Sequence, residues 1–143
     1  MTNLELARNQ LYRKKLTLVI VKNGYVLFDT ASHGISGFLN AIDQIGDKLE
    51  GASIADLVVG KAIALLCVYA GIGEVYAEVL SQKAKKVFEE KRINCEWNRM
   101  VDNILDFSRS SVCYFEKAAE AISDPKRAYL TFKELHQSFM TNK

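Results

Sequence analysis

The chain has 143 residues, 49% apolar and 25% charged, with a single proline and a formal net charge of +2. That is long enough to close a hydrophobic core and ordinary for a globular chain, which excludes the disordered and fibrous classes. So small a net charge gives no general pull toward nucleic acid or membrane, and the longest apolar stretch, Ile63 to Tyr69, is too short to span a bilayer.

The spacing of Leu4, Ala7, Leu11 and Tyr12 predicts an amphipathic helix over residues 3–13. Leu16 to Val21 is apolar and rich in β-branched residues, and Tyr25 to Phe28 is a second such run. Between them, Asn23-Gly24 predicts a tight hairpin, because both residue types tolerate positive φ. The near-continuous apolarity of the first strand asks for helices on both faces of its sheet. After a loop from Thr30 to Gly37, Phe38, Leu39, Ile42, Ile45 and Leu49 form a helical stripe that Gly51-Ala52-Ser53 breaks. Residues 55–70 read as one helix, apolar nearly all round and therefore interior, closed by Gly71-Ile72-Gly73. Val75 to Leu80 reads as a strand, and Ser81 opens a helix with Ala84, Val87 and Phe88 inward. Ile93 to Trp97 reads as a further strand, residues 98–106 as helix or irregular chain, and Val112 to Ile122 as helix. Pro125 then sits in the first turn of the last helix. Strand–helix–strand order with short connections implies parallel pairing. No linker or repeat interrupts residues 1–143, which read as one domain.

Three cysteines, at 67, 95 and 113, form no Cys-x-x-Cys pair, and the polar start Met1-Thr2-Asn3-Leu4-Glu5 lacks the apolar core of a leader. The expectation is a cytoplasmic protein with reduced thiols. The basic runs Arg13-Lys14-Lys15 and Lys83-Lys85-Lys86 read as solvated faces, so no nucleic-acid or membrane partner is expected.

The run Asp56-Leu57-Val58-Val59-Gly60-Lys61-Ala62-Ile63-Ala64-Leu65-Leu66, followed by Val75-Tyr76-Ala77 and Leu80-Ser81-Gln82-Lys83-Ala84, resembles the DUF1893 family, a prokaryotic domain of unknown function. Cys113-Tyr114-Phe115-Glu116-Lys117 is similar to that family's Cys-Pro-Met-Glu stretch. The chain departs from the pattern at Tyr114, where proline is usual, and at Ser108-Arg109, where Asn-Arg is expected. The resemblance implies a three-layer α/β sandwich of the cytidine-deaminase-like type: an N-terminal β-hairpin, then parallel strands, with helices on both faces.

A zinc deaminase needs a His or Cys beside a glutamate at one helix start, and two cysteines a turn apart at the next. Here those starts carry Val59-Gly60-Lys61 and Leu80-Ser81-Gln82-Lys83-Ala84, with no imidazole or thiolate donor. No metal site and no cofactor is expected, although His33, His136 and Cys113 are present elsewhere. What remains attractive at two helix starts is a set of free N–H groups and the positive end of a dipole, which suit a small anion.

Lys61, Asp56 and Cys113 are the catalytic candidates. Lys61, if buried in an apolar helix, becomes a base or nucleophile or meets an anion; otherwise it reaches water or pairs with Asp56 or Glu116. Asp56 is an acid, base or ligand contact, or else a helix cap. Cys113 is an activated thiolate near Arg109, or a small buried residue. Gly60 allows a ligand or a neighbouring backbone to approach closely, or serves helix–sheet packing. Ser81 is an N-cap whose hydroxyl can also touch an anion, and Glu116, one turn past Cys113, is a candidate partner for Lys61, a pairing that the sequence leaves open. Gly60, Lys61, Ser81 and Glu116 therefore form the expected ligand-binding set. The two functional expectations are a small anionic or nucleotide-like ligand in the former deaminase pocket, and a non-catalytic module for self-association or protein docking.

Overall fold

The computed structural model describes residues 1–105 and 113–141. Its elements are α1 (Asn3–Arg13), β1 (Leu18–Lys22), β2 (Tyr25–Thr30), α2 (Ser36–Ile45), a 3₁₀ turn (Gly46–Leu49), β3 (Ser53–Val59), α3 (Lys61–Ala70), β4 (Glu74–Ser81), α4 (Gln82–Glu90), β5 (Asn94–Val101), α5 (Tyr114–Ala119) and α6 (Pro125–Thr141).

The five strands form one sheet in the order β2-β1-β3-β4-β5. β1 is antiparallel to both β2 and β3, whereas β3, β4 and β5 run parallel. The hairpin turns at Asn23 and Gly24, both with positive φ (53° and 80°), as this dipeptide favours.

β1 shows why its sequence is apolar throughout. Leu18 and Ile20 point into the main core, which α2, α3, α4 and α6 cover with Phe38, Leu65, Phe88 and Phe132. Val19 and Val21 point the other way, where α1 buries Leu4, Ala7 and Leu11 against Ala55 and Tyr76. A strand buried on both faces loses the alternation that marks a half-exposed one.

Two readings of the sequence are corrected. Residues 55–70 are not one helix: Ser53–Val59 is the central strand β3, Gly60 is the hinge, and only Lys61–Ala70 is helical. A doubly buried strand and an interior helix are both apolar throughout, so periodicity does not separate them. Residues 98–101, expected as helix or irregular chain, instead extend β5, pairing with β4 through Met100↔Leu80 and Val101↔Ser81. Of the helix expected over 112–122, the structure shows Tyr114–Ala119; residue 112 lies outside the described residues.

Candidate functional site

β3 ends at Val59 and the chain turns through Gly60 directly into α3. Glu116, in the first turn of α5, reaches this junction. Its Oε1 accepts from the Lys61 backbone N–H and its Oε2 from the Ala62 N–H, both at 2.7 Å. One carboxylate thus satisfies two donors at the opening of α3, with charge-assisted bonds at the positive end of the helix dipole. Burial pushes the Glu116 carboxyl up despite the two backbone donors and the nearby Lys83 and Lys61 ammoniums.

The contact explains Gly60. A Cβ there would overlap the Glu116 carboxyl and come within 2.8 Å of Ile104 Cγ1. What approaches this glycine is neither a ligand nor a neighbouring backbone, the two expected, but the side chain of Glu116.

The equivalent position on α4 is closed in the same manner. Ser81 is the N-cap, and its Oγ accepts from the Ala84 N–H at 3.1 Å. The hydroxyl is buried and engaged with its own helix.

Beside the Glu116 cap lies a cavity of about 160 Å³ between the end of β3, the first turn of α3 and the start of α5. Ile35, Val58, Ala62, Ile63, Ile104 and Phe115 make most of its wall, and the polar groups on it are Thr17, His33, Asp56, Cys113 and Glu116. Asp56 accepts a hydrogen bond from the Val58 N–H at 3.2 Å. Desolvation outweighs this and the Leu57 backbone donor, and pushes the carboxyl from 3.8 up to about 7. Near neutrality such a group both donates and accepts protons.

The structure therefore brings Asp56, Gly60, Cys113 and Glu116 together and sets Lys61 and Ser81 apart from the cavity. Asp56 is a strand residue, not a helix cap. Lys61 is the first residue of α3 rather than one buried within it, and its half-buried side chain leaves the cavity so that Nζ donates to the Glu120 carbonyl at 3.3 Å. It is the Lys61 amide, not its ammonium, that meets Glu116. Cys113 stands at the N-cap of α5 without capping it and contributes its thiol to the wall. Arg109, its expected neighbour, lies outside the described residues, as does Ser108. Thr17, His33 and Ile104 are wall residues that no local motif marks; only tertiary packing assembles them.

Neither helix opening carries an imidazole or thiolate of its own: the starts are Gly60-Lys61 at α3 and Ser81-Gln82 at α4. At α3 both Glu116 oxygens are taken by N–H groups, and at α4 the Ser81 hydroxyl caps its own helix. Among the described residues, no three His, Cys, Asp or Glu side chains stand together as a metal set. His33 lines the cavity, and His136 lies on α6 away from it.

A mixed sheet with a leading hairpin, two strand–helix units in succession and a cavity at the first helix opening define a cytidine-deaminase-like fold. The chain belongs to the DUF1893 family (TM1506), a domain of unknown function whose model matches residues 6–136. It is similar to the crystal structure of the DUF1893 protein TM1506 from Thermotoga maritima, at 24% identity and a TM-score of 0.85, over 92% of this chain and 88% of that one. It is also similar in fold to the apo dCMP deaminase of cyanophage S-TIM5, at 14% identity and a TM-score of 0.50, over 66% of this chain and 93% of that one. No curated protein matches the chain in sequence. No helix among the described residues is long and apolar enough to cross a membrane.

Proposed function

We propose that the cavity beside β3 binds a small, ring-sized ligand by an apolar body and a hydrogen-bond donor directed at Asp56, without zinc. The carrying observation is a titratable carboxyl, pushed up to about 7, in the wall of an otherwise largely apolar cavity. The volume of about 160 Å³ sets the size, since a dry apolar cavity of about 150 Å³ takes up benzene. An apolar wall with few convergent polar groups is the usual make-up of a small-molecule site.

The polarity of the wall chooses the head group. Asp56 and Glu116 are both carboxyls, and the N–H groups that would attract an anion already bind Glu116. An anionic ligand has to displace that carboxylate, whereas a neutral or protonated nitrogen heterocycle finds an acceptor waiting at Asp56. A nucleobase-like ring satisfies this; a phosphate does not.

Ligand-observed NMR with 2-aminopyrimidine, benzene and inorganic phosphate tests the reading. The expected result is saturation transfer to 2-aminopyrimidine, with affinity falling about tenfold in Asp56→Asn, the equivalent of one lost hydrogen bond to a charged acceptor. Absence of binding by any ring, or preferential binding of phosphate with loss of the Glu116 cap, overturns it.

Self-association has support from one feature. β5 is an edge strand of eight residues that pairs, among the described residues, with β4 alone, and five of those eight residues are exposed; such an edge is a template for another strand. Sedimentation velocity checks this: a dimer that Trp97→Lys dissociates supports the reading, and a monomer at all concentrations removes it.

A further inference from the structure

Lys61 leaves the cavity for a second depression, a groove of about 250 Å³ between α3 and α4 that shares no lining residue with the first. Lys61 and Leu65 form one wall, one helical turn apart. Lys83, Lys86, Val87, Glu90 and Lys91 form the other, at the three-, four-, seven- and eight-residue spacings that share a helix face. Ser123, in the connection between α5 and α6, closes one end.

The charge in this groove is unbalanced. Four lysines face one lining carboxylate, Glu90, in a chain whose total excess is +2. Glu120 takes Lys83 in an ion pair at 3.4 Å and gives its carbonyl to Lys61. Lys86 and Lys91 have no carboxylate within salt-bridge distance among the described residues. Like charges gathered on one concave surface repel each other and concentrate anions there. By contrast, Lys85, on the same helix but outside the groove, is paired with Glu89.

We infer that the α3–α4 groove binds a linear polyphosphate moiety, free or as the tail of a nucleotide. From Lys83 to Lys91 is about 12 Å along the helix axis, which lets flexible ammoniums grip successive phosphates of a short chain and makes a single phosphate a weaker match. Lysine suits this as a mobile point charge with three donors. Leu65 and Val87 add an apolar part to each wall that brings no competing charge.

Calorimetric titration of the whole protein at about 50 mM salt, where screening is modest, with tripolyphosphate, ATP and inorganic phosphate tests the inference. The expected order is tripolyphosphate well ahead of phosphate. ATP equal to tripolyphosphate marks recognition of the chain alone, and ATP binding more tightly marks recognition of the nucleoside as well. Lys86→Ala combined with Lys91→Ala, both exposed positions, weakens tripolyphosphate at least about tenfold, the effect of about 1.4 kcal/mol. Lys14→Ala with Lys15→Ala removes the same charge elsewhere and leaves affinity within about twofold. No heat with tripolyphosphate or ATP, or equal weakening by the two double variants, overturns the proposal. Because the cavity and the groove share no residue, Asp56→Asn leaves tripolyphosphate binding unchanged, and this separates the two readings.

Discussion

Gly60 and Glu116 form a pair in which each explains the other. The carboxylate reaches two N–H groups because no side chain stands between it and the backbone. Gly60→Ala is expected to cost about 1–3 kcal/mol in urea unfolding, the range for forcing extra atoms into a packed site. In a Glu116→Ala background the added penalty of Gly60→Ala shrinks by about 1 kcal/mol, the coupling expected of residues in direct contact. A full, additive penalty in that background would show that the glycine serves some other neighbour. Asp56 gives the residue-scale prediction for pH. Its folded value of about 7 lies above the ordinary 3.8, so the native state holds the proton more tightly. Stability is therefore greatest below about pH 4 and falls as pH rises toward 7, with a ceiling of about 4 kcal/mol for this group. Glu116, also pushed up by burial, adds in the same direction. Asp56→Asn keeps an acceptor for the Val58 N–H and removes most of this slope; stability curves collected from pH 4 to 8 that superimpose for the two proteins would exclude the assignment.

At the scale of elements, the two parallel strand–helix units end alike and are capped differently. α4 is capped by its own preceding residue, Ser81, through a local bond to Ala84. α3 is capped from 55 residues away by Glu116. The local cap is the smaller risk: Ser81→Ala is expected to cost about 1 kcal/mol in chemical denaturation without altering the cavity. A loss of more than about 3 kcal/mol would mean that the hydroxyl does more than cap. The distant cap ties the placement of α5, and with it Cys113 and Phe115 on the cavity wall, to the first turn of α3.

For the whole molecule, burial controls two of the thiols, Cys67 and Cys95. Cys67 sits within α3 in the main core, where burial, with Asp56 and Cys95 nearby, pushes its thiol far up. Cys95 on β5 is pushed up to about 12, from 9.0, by burial and by Glu96. Native-state alkylation at pH 8 is expected to spare both, Cys95 reacting on the order of a thousandfold more slowly than a free thiol because its thiolate fraction falls tenfold per unit. Fast modification of Cys95 in the folded protein would show that the β5 edge opens.

Local chemistry determined much of this. Asn23-Gly24, Ser81 and the Asp124-Pro125 start of α6 act within a few residues, so the hairpin, the α4 cap and the last helix were legible in the amino-acid order. That Gly60-Lys61 and Ser81-Gln82 are themselves neither His nor Cys is likewise a matter of residue identity, whereas only packing brings His33 and Cys113 to the cavity beside the first of them. Tertiary structure decided the centre of the sheet and the site. β3 and α3 form one largely apolar stretch, interrupted only by single polar residues such as Asp56 and Lys61, and only pairing with β1 and β4 makes residues 53–59 extended. That pairing moved Asp56 onto a strand beside a cavity and sent Lys61 to the opposite wall of its helix start. The bond from Glu116 to Lys61 and Ala62 spans more than 50 residues, and no spacing rule encodes it, since burial and approach at that range depend on how the layers pack.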